Sequence, residues 1–228
     1  MLENLLIFGT LTFFFSYLIG AIPFSYFVAN FYKKDLYKIG SKNIGTANVW
    51  RATGKIEATL LALLGDVGKG FFPLYFLGKT INPISFSHLS FLYSIAAFGA
   101  VLGHNFPIYL KFKGGRGLAT LAGALIYLNW KMILIALIIM GFFIFLTEIL
   151  MKRGEIDLKG NFKEKIKKLF TILISQVLGR MIGILIALIV VFIIFPLETK
   201  IALPALILAG FKHIKRTKDF LKKSDDEN

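Results

Sequence analysis

Two short stretches of this sequence combine glycine, small hydrogen-bonding side chains and cations in a pattern suited to holding phosphate. The first is Gly40-Ser41-Lys42-Asn43-Ile44-Gly45-Thr46-Ala47-Asn48-Val49-Trp50-Arg51. Glycines let backbone N–H groups approach a ligand closely, and Ser, Thr and Asn add neutral hydrogen-bonding groups. The closing arginine offers a planar fork that matches phosphate oxygens. The second is Phe112-Lys113-Gly114-Gly115-Arg116-Gly117, three glycines among two cations at the head of an apolar run. A helix beginning there would present bare N–H groups to an anion. The bland alternative is that both stretches are helix-terminating turns. Two cationic glycine loops make a stronger signal than one. Neither fits the phosphate-binding loop of nucleotide hydrolases or a dinucleotide turn, and no carboxylate pair sits nearby to hold magnesium. The expected site is therefore metal-free and cofactor-free.

Three further residues stand out. His104, in Gly103-His104-Asn105-Phe106-Pro107, lies nine positions before Lys113 and reads either as a packing residue or as part of the phosphate site. Asp66 and Lys69 are three apart on one helix face within an apolar run. Their main reading is mutual neutralisation, since an unpaired charge in hydrocarbon is costly; a position of Lys69 near the anion site is compatible with it. Arg180, deep in another apolar run, either snorkels or pairs with Glu148. With no cysteine in the chain, thiol nucleophiles and Cys-based metal sites are excluded. No nucleophile elbow is present, and neither His104 nor His213 is followed by Asp five residues on. Such a chain can bind, orient and neutralise phosphate but has no strong base, so its substrate should be phosphorylated and already activated.

The elements that position these groups must be membrane helices. The 228 residues are 56% hydrophobic, with mean hydropathy +0.71, more apolar than the 45–50% or so of a soluble domain. Apolar runs cover Leu5–Ala29, Ile56–Leu77, Leu89–Leu110, Leu118–Trp130, Met132–Leu150, Ile172–Pro196 and Ile201–Phe211. Several reach the roughly 20 residues a crossing requires; the fourth and seventh would have to extend into flanking residues or be partial helices. The first is too long, and its head too acidic, for a cleaved signal, and is read as a retained anchor. The expected fold is all-α, a polytopic bundle of about seven transmembrane segments, N-terminus outside and C-terminus inside, forming one domain over 1–228. In that topology 22 of the 27 Lys and Arg fall on inside segments, as the positive-inside rule requires. The net charge of +14 then reflects topology and anionic lipid rather than nucleic acid. Residues 152–170 form a basic insert, either an amphipathic surface helix or a solvated loop, and 222–228 a frayed tail. Gathering of the polar motifs on one face argues against an anion transporter, which needs access from both sides; a non-catalytic binder of phospholipid precursors remains the other reading.

Taken together, Gly20-Ala21-Ile22-Pro23-Phe24, Ser41 through Arg51, Asp66-x-x-Lys69-Gly70-x-x-Pro73 and Gly103-His104 through Thr120 resemble the bacterial membrane glycerol-3-phosphate acyltransferases that use acyl phosphate. The resemblance implies transfer of a fatty acyl group to the sn-1 hydroxyl of glycerol 3-phosphate, giving lysophosphatidic acid for phospholipid synthesis at the bacterial inner membrane, with the site facing the cytoplasm. It implies catalytic roles for Ser41, Arg51, Arg116 and His213. It implies substrate or phosphate binding by Asn43, Gly45, Asn48, Lys113, Gly114, Gly115, Gly117 and Thr171, the last standing in for a third-loop Ser; position beside these loops adds Thr46, Lys69 and His104 as binding candidates. The family mechanism is substrate-assisted, and the implied partners are both substrates, membrane lipids and the upstream enzyme that forms acyl phosphate. The sequence departs from the pattern at Ala47 (usually Thr), Arg116 (usually Lys), Arg216 (usually Asn) and the third-loop Ser.

The charge distribution yields a direct test. Lys42→Cys in this otherwise cysteine-free chain should be labelled by a membrane-impermeant maleimide only from the cytoplasmic side; labelling from outside would invert the topology.

Overall fold

The computed structural model describes residues 2–80, 86–151, 161–175 and 177–226, and every regular element among them is helical. In order these are α1 (Leu2–Ala21), α2 (Phe24–Phe31), α3 (Thr46–Thr53), α4 (Ile56–Thr80), α5 (Phe86–Asn105), a 3-10 turn at Ile108–Leu110, α6 (Leu118–Met151), α7 (Phe162–Ser175), α8 (Val177–Ile194) and α9 (Pro196–Asp226). Helices suit this composition because lipid cannot satisfy backbone N–H and C=O groups. Among the described residues, four helical stretches are long and apolar enough to cross a bilayer: Leu5–Phe31, Ile56–Thr80, Ser87–Leu110 and Leu118–Leu150; Ile182–Ile194 is apolar but shorter. The chain is an all-α, multi-pass membrane protein.

Individual breaks have local causes. The first apolar run is divided at Ile22-Pro23, where proline lacks the N–H that would continue α1. The fourth and fifth runs form one helical stretch, α6, interrupted at Asn129, whose φ of −165° and ψ of 103° are extended. There the Asn129 side chain accepts from the Lys131 N–H (3.2 Å) and donates to Glu198 (3.0 Å). The seventh run is part of the longer α9. Helix α9 runs to Asp226, into the segment expected as a frayed tail. Of the basic insert, 162–170 belongs to α7, whereas 152–160 lies outside the described residues. The Arg180 side chain lies outside them as well.

The chain divides into two compact units, Met1–Leu128 with Lys200–Asn228, and Asn129–Thr199. In the second, a side chain at Gly179 would strike the Thr147 hydroxyl and the backbone of α6, and one at Gly183 the Met140 backbone. In the first, α1 packs along α5, and α4 against α1, α2, α3 and α5. Backbones approach directly here. A β-carbon on Gly20 would overlap the Ala100 carbonyl, and one on Gly70 the carbonyl of Thr120, the small-residue packing that membrane helices use in place of hydrophobic drive.

Inside this unit lies a buried polar network. Asp66, 1% exposed, pairs with Lys69 Nζ at 3.0 Å through Oδ1 and accepts from the Ser25 hydroxyl at 2.6 Å through Oδ2. Lys69 Nζ also donates to the Ile22 carbonyl (2.9 Å), which the break at Pro23 leaves without its helical partner. His104 Nδ1 lies 3.7 Å from Asp66 Oδ1 and 3.1 Å from the Thr120 hydroxyl. The expected neutralisation of Asp66 by Lys69 is present, and it ties α2, α4, α5 and the head of α6 together.

Removing one member of a buried pair strands the other charge, at about 3–5 kcal/mol. Asp66→Asn should therefore lower the melting temperature in detergent sharply, and adding Lys69→Met to it should recover much of the loss. Equal melting of the single and double variants would show that the pair does not set stability.

Candidate functional site

The first glycine loop is shaped by Asn48, which is 2% exposed. Its Nδ2 donates to the Leu36 and Ile39 carbonyls (3.0 and 3.1 Å), and its Oδ1 accepts from the Ser41 N–H (2.9 Å). One amide thus folds residues 36–41 back over the start of α3. Gly40, at φ +57°, sits against the side chains of Asn48 and Arg51, leaving no room for a side chain of its own. Leu36, Ile44 and Val49 pack with Ala29, Ala58 and Ala62, fixing the loop and α3 to α2 and α4. Helix α3 starts at Thr46 without a side-chain cap, so its first N–H groups are not spent on one. The buried Thr46 hydroxyl has no partner among the described residues. Arg51, half-buried on the last turn of α3, has one guanidinium nitrogen 3.5 Å from the Ala47 carbonyl.

The second loop is folded against the end of α5. The Gly115 N–H donates to the His104 carbonyl at 3.0 Å. A side chain on Gly115 would overlap both the His104 ring and the Ile44 carbonyl, and one on Gly114 would overlap the His104 carbonyl and Pro107. Lys111 and Phe112 take left-handed conformations (φ 51° and 62°), and Gly117 does so at φ +78° just before α6. The two loops therefore meet. Ile44 abuts Gly115, and the Tyr37 hydroxyl donates to the Lys113 carbonyl at 2.8 Å. Burial, with smaller contributions from Tyr26 and Asp35, pushes the Tyr37 phenol above its ordinary value, so it stays a donor at neutral pH. Helix α9 adds Lys212, whose Nζ is 3.4 Å from the Asn105 carbonyl and 4.0 Å above the Phe106 ring.

Of the residues expected at the site, Ser41, Asn43, Gly45, Thr46, Asn48 and Arg51 lie on one loop and its helix, and Lys113 to Gly117 on the loop that touches it. His104 is the floor beneath Gly115. The Asn48 amide is engaged within the loop by Leu36, Ile39 and Ser41. Lys69 is 3% exposed and pairs with Asp66 and the Ile22 carbonyl. Thr171 is on α7 and His213 follows Lys212 on α9; their side chains lie outside the described residues. Among the described residues, no three His, Cys, Asp or Glu side chains converge as metal ligands. Sequence reading missed Ser25, Tyr37, Asn105 and Lys212. Proximity to Pro23, His104 and His213 signals three of these, but nothing in sequence marks Tyr37.

Comparison with known proteins matches residues 10–156, well over half of the chain, to the glycerol-3-phosphate acyltransferase family. A glycerol-3-phosphate acyltransferase 2 of Thermotoga maritima is 44% identical over 115 residues, covering 50% of this chain and 55% of that protein. A glycerol-3-phosphate acyltransferase of Staphylococcus haemolyticus is 42% identical over 131 residues, covering 54% and 62%. The chain thus spans little more than half the length of these curated relatives. The crystal structure of PlsY (YgiH), an integral membrane glycerol 3-phosphate acyltransferase, in its glycerol 3-phosphate form shares the fold with a TM-score of 0.68 at 24% identity, over 94% of this chain and 92% of that one. The matched segment runs from the first apolar helix through both glycine loops, and on that ground the chain belongs to the glycerol-3-phosphate acyltransferase family.

Proposed function

We propose that this chain transfers a fatty acyl group from acyl phosphate to the sn-1 hydroxyl of glycerol 3-phosphate, producing lysophosphatidic acid and inorganic phosphate. The observation that carries the reading is the junction of the two cationic glycine loops at Ile44–Gly115 and Tyr37–Lys113. One loop then holds the phosphate of the acceptor and the other that of the donor. A solved relative of the same fold was crystallised in glycerol 3-phosphate and lysophosphatidic acid forms, which supports a site for these compounds here.

The hydroxyl oxygen attacks the acyl carbonyl carbon, the bond from that carbon to the phosphate oxygen breaks, and the hydroxyl proton passes to the donor's phosphate. This substrate-assisted route fits loops that offer cations and N–H donors but no evident base. Their contribution is alignment of two phosphorylated substrates and stabilisation of the oxyanion and leaving phosphate by Arg51, Lys113, Arg116 and backbone N–H groups. Ser41, Asn43, Thr46 and His213 complete the site, with Thr171 in the place of the third-loop Ser. Seven crossings with both loops on the cytoplasmic face of the inner membrane let the donor's acyl chain stay in the bilayer. An enzyme that makes acyl phosphate supplies the donor. The family match ends at residue 156, before Thr171, His213 and Arg216, and this favours a second reading as a non-catalytic binder of the same compounds.

Purified protein should turn over acyl phosphate with glycerol 3-phosphate, leave acyl-CoA unused, keep its rate in EDTA and be inhibited competitively by inorganic phosphate. Efficient use of acyl-CoA or loss of activity in EDTA would contradict the mechanism, and no turnover with either donor would favour the binder.

Removing a charge-assisted hydrogen bond from the transition state costs about 1.5–3 kcal/mol, with about a factor of ten in rate for each 1.36 kcal/mol. Arg51→Ala and Arg116→Ala should each lower kcat/KM by roughly a hundredfold, whereas Arg116→Lys keeps much of the activity. Wild-type rates in both alanine variants would exclude these two arginines from the mechanism.

A further inference from the structure

We infer that Asn105 is a ligand-binding residue of the second loop, its carboxamide donating to an oxygen of the acyl-phosphate donor; the inference rests on the function proposed above. Asn105 is fully buried, yet neither Oδ1 nor Nδ2 has a hydrogen-bond partner among the described residues. Such orphans are rare, because burying an amide without partners loses its bonds to water and gains nothing in return. Asn48, almost equally buried nearby in the fold, shows the ordinary outcome, with both ends of its amide engaged.

The orphan sits within the loop already described. A β-carbon on Gly117 would stand 2.9 Å from Asn105 Oδ1 and 3.6 Å from its Cγ, and one on Gly114 would stand 2.8 Å from the Asn105 carbonyl carbon. The amide oxygen therefore lies beside the residue that precedes α6, whose first N–H groups have no intrahelical acceptors, and a turn of the amide about its Cβ–Cγ bond brings the NH2 there. Glycine at 117 keeps that spot free of a side chain. Its backbone carbonyl is engaged separately by Lys212 Nζ at 3.4 Å, which brings a cation to the same turn without using the amide. A buried neutral amide, a helix N-terminus and a cation thus gather around one glycine loop, a set of groups suited to an oxyanion. Because the loop glycines rest on His104 and Asn105, the group bound there is the phosphate held by the second loop, taken here as the donor's.

The test separates ligand binding from architecture. Steady-state kinetics and thermal unfolding of the purified full chain would be measured for the wild type, Asn105→Leu and Asn105→Asp, with and without inorganic phosphate. For Asn105→Leu we expect the KM for acyl phosphate to rise at least tenfold, the KM for glycerol 3-phosphate to stay within twofold, and the ligand-free melting temperature to hold or rise as the orphan is removed. The stabilisation conferred by phosphate should shrink in step. Asn105→Asp keeps the shape, places an anion against the phosphate, and should weaken donor binding further; it decides the matter if the leucine variant does not fold. An unchanged donor KM, with or without a lower melting temperature, would overturn the inference and make Asn105 a structural, water-held amide. If the wild type does not turn over acyl phosphate, the proposed function fails by itself, and the phosphate-induced melting shift alone then decides for Asn105: retained in both variants, it refutes the assignment; abolished, it upholds it.

Discussion

The ion pair of Asp66 and Lys69 is the constraint around which the first unit is built. Two charges inside a membrane-spanning helix are tolerable only if they neutralise one another and every remaining donor and acceptor is met. Spacing of three along α4 brings them to 3.0 Å. What remains is satisfied from other helices. Ser25 donates its hydroxyl proton to Asp66, and Ile22 accepts from Lys69 with a carbonyl that Pro23 has released from α1. The proline break and the ion pair are thus joined: the break frees the Ile22 carbonyl from a helical partner, and Lys69 and the Phe24 N–H share it.

From Asp66 the same network reaches the chemistry. His104 lies against Asp66 and Thr120 on one side of its ring and under Gly115 on the other, while its carbonyl holds the Gly115 N–H. Helix interior and glycine loop are therefore separated by one residue. A loop made largely of glycine has little stiffness of its own, so its shape has to be borrowed from a rigid neighbour. Here the first loop borrows from the Asn48 amide and the second from the His104 turn, and contact at Ile44–Gly115 and Tyr37–Lys113 sets one against the other. Alignment of two phosphate groups depends on that registration, since small errors in placement erase the gain from proximity.

Much of this was legible in sequence, for identifiable reasons. Apolar runs show lipid-facing helices directly, but they read straight through Pro23 and divide α6 at Lys131 into two runs, where the structure breaks the first at Pro23 and keeps the second pair as one helix kinked at Asn129. Glycine, small polar and cationic residues in tight clusters mark both loops. Sequence does not show how a residue divides its hydrogen bonds. Asn48 reads as a ligand because amides bind phosphate, yet its amide is engaged by Leu36, Ile39 and Ser41, partners the spacing does not reveal, whereas the spacing of Asp66 and Lys69 does show their pairing. Tyr37 joins loops 76 residues apart, which no local pattern encodes. Asn105 is the converse: its significance lies in partners it lacks, a property of surroundings rather than of composition.

The same contrast bears on where sequence and fold part company. The family match stops at residue 156, but the fold likeness covers 94% of the chain. In the second unit the described packing includes small residues at Gly179 and Gly183 facing the backbone of α6, beside an Asn129–Glu198 hydrogen bond and buried Thr147, Glu148 and Thr199. Close backbone approach needs only a missing β-carbon, and lipid-facing positions accept almost any apolar side chain. The first unit is held to a stricter standard. Each member of the Ser25–Asp66–Lys69–His104–Thr120 network has a specific partner, and a change at one leaves a buried polar group unpaired at the next. A polar network of this kind therefore fixes residue identity more tightly than close backbone approach does.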